Sequence, residues 1–107
     1  MTETPKLSYG LKADTIAAIQ AIFHKHPHVI QAILYGSRAK GNYKPASDID
    51  LTLQGQQLDY AELLAIETQL DDLLLPYQID LSLYEHIDNA ALLDHIQRVG
   101  IVFYSSI

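Results

Sequence analysis

The sequence predicts a small α/β (α+β) domain in which helices pack on one face of a mixed β-sheet. Three observations predict this class. Helical periodicity and short apolar segments of strand length alternate along the 107 residues. A short link joins the first two strand segments, which favours an antiparallel pair. A helix of crossover length joins the second strand segment to the third, which favours a parallel pair.

The chain begins with a short lead, followed by a helix and a strand. Residues 1–10 are expected to form a mobile lead. Apolar residues then recur at helical spacing, which predicts a helix over about 12–25 that ends before Pro27. The apolar, β-branched segment 29–35 predicts a buried strand. No linker or internal repeat divides the sequence, so we expect a single domain spanning 1–107.

A helical turn, a second strand and a second long helix are predicted next. Ser37 is expected to cap the short turn and Gly41 to close it. Apolar and polar residues alternate along 49–53, which is the period of a strand that buries one face. Asp59 is expected to cap the following helix, with Glu62 as its capping-box partner.

The last part of the chain predicts a strand, a helix and a further apolar segment. The strand covers 77–84, where apolar residues again alternate with polar ones. Asp88 or Asn89 is expected to cap the last helix, and Gly100 suits its end. The segment 101–104 is a candidate for a short final strand.

Composition excludes several classes of protein. A net charge of −6 is a poor basis for attraction to a nucleic-acid backbone, so no direct nucleic-acid contact is expected. No apolar run approaches the roughly 20 residues that cross a bilayer, and the first residues lack the pattern of a secretion signal. The absence of cysteine leaves no disulfide framework. We therefore expect a cytoplasmic protein without a membrane segment.

Three aspartates are expected on one polar face of the sheet. Asp48 and Asp50 stand one residue apart on a strand, so their side chains share a face about 7 Å apart. Asp80 has the same phase on the next strand, about 4.8 Å across the sheet, although a one-residue register slip would turn it to the core. Such carboxylates repel one another unless cations neutralise them, and Mg²⁺ prefers oxygen ligands. Two such ions about 3.5–4 Å apart can hold the attacking and leaving oxygens of a phosphoryl-type displacement.

The segment before these aspartates is suited to bind phosphate. Gly36 lets a phosphate approach the backbone, and the turn after it offers N–H groups at a helix start, where anions are favoured. The Ser37 hydroxyl adds a donor. Arg38 and Lys40 are candidates to contact a triphosphate, although basic residues are also ordinary on an exposed surface.

These motifs resemble those of a known superfamily. GSRAKG followed by SDIDL resembles the signature of the DNA polymerase β-type nucleotidyltransferases. That signature is Gly-Ser, a spacer of about ten residues, Asp-x-Asp between apolar residues, and a third acid on a later strand. The chain resembles the minimal nucleotidyltransferases (MNT) of bacteria and archaea more than the larger polymerases, over about 29–83. The resemblance implies a polymerase β palm-like fold.

The resemblance also implies a role for each motif residue. Gly36 and Ser37 would hold the β- and γ-phosphates of a nucleoside triphosphate. Asp48, Asp50 and Asp80 would ligate two Mg²⁺ ions. Asp80 would also orient or deprotonate a hydroxyl that attacks the α-phosphorus, and pyrophosphate would leave.

The acceptor is implied by the resemblance to MNT proteins, which are commonly encoded beside a HEPN-domain toxin. They act as its antitoxin and transfer AMP to a tyrosine of the toxin. The expectation is a protein adenylyltransferase that uses ATP and Mg²⁺ and forms a hetero-oligomer with a HEPN-domain protein. Two alternatives remain open: a binding module that neutralises or scaffolds a helical partner, and transfer to a small molecule, as in antibiotic-modifying relatives.

The segment HKHPH places histidines at positions 24, 26 and 28. A zinc site is conceivable, but Pro27 breaks the spacing, and no cysteine or nearby acid completes a ligand set. An exposed turn at a helix end is therefore favoured. His86 and His95 are isolated in the sequence and receive no role.

Overall fold

The computed structural model describes residues 7–107. Its elements are β1 (Leu7–Ser8), β2 (Leu11–Lys12), α1 (Ala13–His24), β3 (Gln31–Tyr35), α2 (Gly36–Lys40), β4 (Ile49–Gln54), α3 (Tyr60–Asp71), β5 (Ile79–Leu83), a 3₁₀ turn (Tyr84–His86), α4 (Ala90–Val99) and β6 (Ile101–Ser105). The predicted order of elements is confirmed, with β1 and β2 in addition. Within this described range, no helix combines the length and apolar character needed to span a membrane.

Four strands form the main sheet, in the order β5-β4-β3-β6. β3 pairs antiparallel with β4 and β6, whereas β4 pairs parallel with β5. Both predicted pairings are confirmed, because the short connection through α2 reverses the chain and α3 provides the crossover. β1 and β2 form a separate antiparallel hairpin.

The core lies between one face of this sheet and the helices α1 and α3. Ile49, Leu51 and Leu53 of β4 are fully buried, as their alternation predicts. The helices meet them with the buried residues Ile19, Ile22 and Phe23 of α1, and Leu63, Ile66 and Leu70 of α3. Each such side chain contributes about 1.5–3 kcal/mol on burial. This packing fixes the strand register, because a one-residue slip would move the apolar side chains to the opposite face.

Helix α4 lies on the opposite face, which corrects the expectation that all helices share one face. The ring of His95 packs edge-on against Tyr35, with centroids 6.2 Å apart. Tyr35 is paired directly with Asp50, so its side chain belongs to the polar face. The topology explains this placement. β5 and β6 lie at opposite edges of the sheet, so the chain between them must cross one face, and α1 and α3 occupy the other.

The end of the predicted lead forms part of the folded structure. Within the predicted lead, residues 7–10 belong to the β1–β2 hairpin, whereas residues 1–6 lie outside the described part of the chain. Tyr9 and Gly10 both have positive φ, as type I′ hairpin turns require. Leu11 follows and is fully buried in the core.

Side-chain caps fix the starts of α3 and α4. The Asp59 carboxylate accepts a hydrogen bond from the N–H of Glu62 at 2.8 Å, and the Asn89 side chain accepts one from Leu92 at 3.0 Å. These two predicted caps are confirmed. The predicted cap by Ser37 is wrong, because α2 begins one residue earlier and no described side chain caps it.

Candidate active site

The turn between β3 and β4 begins with a glycine in the left-handed region. Gly36 has a φ of 75°, and Gly41, which ends α2, has a φ of 88°. A residue with a Cβ is strained in this region, whereas glycine is not. At Gly36 there is a second reason for glycine, since a Cβ there would overlap with Oδ2 of Asp50. The glycine therefore lets the turn lie directly against a predicted metal ligand.

Two of the three predicted carboxylates are neighbours on one face of the sheet. Asp50 and Asp80 are direct partners in the parallel β4–β5 ladder, where strands lie about 4.8 Å apart. Tyr35 is the partner of Asp50 in the antiparallel ladder on its other side. Asp48 precedes β4 at an exposed position. The alternative register, in which Asp80 would point into the core, is excluded.

The charges of these aspartates act on one another. Burial raises the pKa of Asp50 above its ordinary value, and the charges of Asp80 and Asp48 raise it further. The electrostatic interaction with His95 opposes part of this rise. Like charges thus disfavour the ionised carboxylate at the centre of the site, and a bound cation would relieve the repulsion.

The chemistry of the donor set fits Mg²⁺. Carboxylate oxygens are the ligands that Mg²⁺ prefers, and a mutually repelling pair gains most from a cation. No His, Asp or Glu side chains in residues 7–107 are gathered into a group of three that could hold a metal ion. The fit therefore rests on the kind of ligand and on its electrostatics.

Arg38 lies in the protein interior and is only 2% exposed. Each guanidinium nitrogen donates to a backbone carbonyl. Nη1 donates to Tyr9 at 2.8 Å, and Nε donates to Ser47 at 3.2 Å. Nη2 donates to Pro45 at 3.2 Å and to Ser47 at 2.9 Å. A buried arginine is tolerated here because its donors are paired with acceptors.

The Arg38 charge also lies over two aromatic rings, 5.2 Å from the centroid of Tyr43 and 4.8 Å from that of Tyr77. Ser47 immediately precedes Asp48, so the two bonds to its carbonyl fix the backbone beside a predicted metal ligand. The guanidinium is thus engaged by protein groups. This geometry differs from the expected contact between Arg38 and a triphosphate.

Ser37 and Lys40 occupy the short helix α2. The Ser37 carbonyl accepts hydrogen bonds from the N–H groups of Gly41 and Asn42, which closes the helix. Lys40 is exposed in the last turn. Their contacts to a triphosphate stay predictions.

His95, which received no role from the sequence, lies at the turn that begins with Gly36. The N–H of Gly36 donates to its Nε2 at 3.1 Å. The two residues are 59 positions apart, so only the path of α4 across the sheet brings them together. No local sequence signal marks this contact.

The histidine-rich segment is less exposed than expected. The side chain of His26 is 13% exposed, with Nδ1 3.0 Å from Glu62 and Nε2 2.9 Å from Gln69. His28 lies 2.9 Å from the other oxygen of Glu62. The expected exposed turn is correct for His24 but wrong for His26, because the nearby acid comes from α3. Glu62 therefore holds two histidines, and its carboxylate does not complete a capping box.

The sheet, the glycine turn and the paired aspartates define this chain as a nucleotidyltransferase domain. The sequence model described as polymerase beta, nucleotidyltransferase, matches residues 17–106. The chain belongs to this polymerase β nucleotidyltransferase family, which confirms the superfamily resemblance. No curated protein sequence matches it.

Solved structures with a similar fold include toxin–antitoxin complexes. A toxin–antitoxin complex with AMP-PNP has a TM-score of 0.69 at 19% identity, covering 85% of this chain and 73% of that chain. The structure of tri-AMPylated Shewanella oneidensis HEPN toxin in complex with MNT antitoxin has a TM-score of 0.63 at 17% identity, covering 86% of this chain and 71% of that chain. The toxin–antitoxin MntA–HepT has a TM-score of 0.65 at 16% identity, covering 89% of this chain and 74% of that chain. At these identities the likeness shows the shared fold.

Proposed function

We propose that this protein is a Mg²⁺-dependent adenylyltransferase that transfers AMP from ATP to a hydroxyl group of a protein partner in the cytoplasm. One observation carries the proposal. The β4–β5 register brings Asp50 and Asp80 to one face, and the Gly36 turn lies directly against Asp50. In a nucleotidyltransferase family, this combination supports binding of the reacting phosphates beside the carboxylates.

The phosphate turn, residues 36–41, would bind the β- and γ-phosphates of ATP. His95 accepts the hydrogen bond of the Gly36 N–H, so Gly36 contributes space for a phosphate while the donors come from Ser37 onward. The exposed ammonium group of Lys40 would add positive charge. Holding the triphosphate in this way places its α-phosphorus for attack and lowers the entropic part of the barrier.

The reaction would then be a single displacement at the α-phosphorus. Asp80 orients the acceptor hydroxyl and accepts its proton as the oxygen attacks. The bond between the α-phosphorus and the bridging oxygen breaks, and pyrophosphate leaves. Asp48, Asp50 and Asp80 would hold Mg²⁺, which supplies charge neutralisation for the triphosphate.

Arg38 would serve this chemistry indirectly. Its bonds to the Ser47 carbonyl fix the backbone next to Asp48. We therefore propose a positioning role for Arg38 in place of the triphosphate contact that the sequence suggested.

The acceptor that we propose is a tyrosine of a HEPN-type toxin, with this chain as the antitoxin in a hetero-oligomer. Support comes from structures of similar fold, one a tri-AMPylated HEPN toxin in complex with MNT antitoxin and another a toxin–antitoxin complex with AMP-PNP. The net charge of −6 also suits a basic partner.

A second function is favoured by one observation. No three candidate ligands in the described part of the chain are assembled for a metal. A domain without an assembled metal site can still act as a binding module that neutralises or scaffolds a helical partner without catalysis.

The two functions are distinguished by incubating the protein with its HEPN-type partner, Mg²⁺ and ATP labelled at the α-phosphate. We expect label on a partner tyrosine, located by mass spectrometry, and no transfer in EDTA. Asp50→Asn should lower the transfer rate at least about 100-fold, because the centre of the carboxylate group is lost.

Asp14→Asn is the matched control. Asp14 is an exposed carboxylate in the first turn of α1, which covers the opposite face of the sheet. Its substitution removes the same charge as Asp50→Asn and the small stabilisation that an acid gives to a helix start, without touching the site. Its transfer rate should equal that of the wild type. A tight but unlabelled complex with the wild-type protein would instead establish the binding module.

A further inference from the structure

One imidazole ring on α4 touches both the phosphate turn and the strand that leads into it. Nε2 of His95 lies 3.1 Å from the backbone nitrogen of Gly36. The same ring meets Tyr35 edge-on, at 6.2 Å between centroids and an interplanar angle of 80°. The turn held in this way is the one that lies against Asp50.

The direction of this hydrogen bond follows from its chemistry. A backbone N–H can only donate, so Nε2 accepts and the ring proton resides on Nδ1. The first N–H of the turn is thereby directed at α4. The Gly36 peptide cannot rotate its N–H away from His95 without breaking the bond and leaving a partly buried donor unpaired.

The ring is itself held in place. Ile96, the next residue, is 4% exposed and anchors α4 on the sheet. The edge-on contact with Tyr35 fixes the plane of the imidazole, a favourable geometry for two aromatic rings. The burial of Ile96 and the contact with Tyr35 thus both favour the position of His95 beside Gly36.

We propose that His95 is a positioning residue of the nucleotidyl transfer site. By accepting the Gly36 N–H, it holds the first peptide of the phosphate turn in the orientation that sets the turn against Asp50. In this role it acts through Gly36. The kinetic consequence rests on the proposed function, whereas the hydrogen bond does not.

The chain offers a matched set of substitutions. His95→Gln places a carbonyl oxygen near the position of Nε2 and keeps an acceptor. His95→Leu fills part of the volume without an acceptor. Arg98→Gln alters an exposed residue of the same helix, which pairs with the exposed Asp94. The three variants separate loss of the acceptor from general damage to α4.

The kinetic experiment compares AMP transfer to the HEPN-type partner as a function of ATP concentration. In His95→Leu we expect kcat to fall about 10–100-fold, as misplaced phosphates do, with a much smaller change in KM for ATP. His95→Gln should recover most of this loss, and Arg98→Gln should match the wild type. An unchanged kcat in His95→Leu, or an equal loss in His95→Gln, would overturn the proposal.

Amide hydrogen exchange measured by NMR supplies a second readout that needs no acceptor. The Gly36 N–H should exchange slowly in the wild type and in His95→Gln, and much faster in His95→Leu. If the wild type transfers no AMP, the proposed function fails, yet the exchange rates still decide whether His95 holds the turn. Equal Gly36 exchange in the wild type and His95→Leu would refute the positioning role.

Discussion

Replacing Gly36 with alanine separates backbone strain from the contact that this glycine makes. Gly36 and Gly41 both have φ in the left-handed region, at 75° and 88°. A Cβ at Gly41 meets no described atom within 4 Å, whereas one at Gly36 overlaps with Oδ2 of Asp50. Gly41→Ala therefore carries the same backbone penalty without the clash and is the matched control.

The expected magnitudes follow from these two terms. A left-handed alanine costs about 1–2 kcal/mol, so Gly41→Ala should lower the free energy of unfolding by that amount. Gly36→Ala adds the overlap with Oδ2 of Asp50, which the carboxylate relieves by turning out of its rotamer at a cost of about 0.5–1.5 kcal/mol. The overlap also displaces the Asp50 carboxylate, and a displacement of about 1 Å lowers kcat about 100-fold.

Urea denaturation measures the first difference, and AMP transfer at saturating ATP measures the second. Gly41→Ala should retain the wild-type rate within a few-fold. The reasoning is refuted if both variants lose the same stability and transfer AMP at the same rate. In that case the turn would not lie against Asp50 in solution.

Three further predictions concern charges. Arg38→Lys keeps the charge but loses the planar set of donors, so the free energy of unfolding in urea denaturation should fall by about 2–4 kcal/mol. Amides of residues 42–48 should also exchange faster. Unchanged values would contradict the proposed positioning of this loop by Arg38. Asp50→Asn removes a carboxylate whose pKa is raised in the folded state, so without metal it should stabilise the protein at pH 7 by up to about 1 kcal/mol. It should also abolish any rise in Tm that Mg²⁺ causes in the wild type. A rise in Tm that persists in Asp50→Asn would disprove the role of Asp50 as a metal ligand. Burial alone would raise the pKa of Glu62, but the hydrogen bonds and charges of His28 and His26 lower it. Ionised Glu62 therefore stabilises the fold at pH values above its ordinary pKa of about 4.3. This contribution is lost as the pH falls through the lowered pKa. Stability measured between pH 3 and 6 should decline more steeply for the wild type than for Glu62→Gln, and parallel slopes would argue against the pair of histidine contacts.

The parts of the fold that the sequence predicts are those that depend on local period. Alternation along β4 and β5 determines which side chains enter the core, so it also predicts that Asp50 and Asp80 share a face. The lengths of the connections predict which pairs are antiparallel and which parallel. The side of the sheet that α4 covers depends on where β6 pairs, and that is decided by the whole topology.

The parts that the sequence does not predict depend on contacts between distant residues. Arg38 follows Gly-Ser and therefore suggests a phosphate ligand, yet its partners are backbone carbonyls, which every residue has and no pattern marks. The contact of His95 with Gly36 depends on the crossing of α4. The partner of His26 and His28 is Glu62, whose spacing from Asp59 suggests a capping box instead.

Arg38 donates hydrogen bonds both to Tyr9 of the β1–β2 hairpin and to Ser47, beside Asp48, so the hairpin helps to hold the loop that carries Asp48. Proteolytic nicking or a bulky fusion at this hairpin would therefore impair catalysis from a distance. A loss of activity after such a change would indicate that the loop carrying Asp48 is no longer held in place. It would not identify the hairpin as a surface that binds ATP or the acceptor.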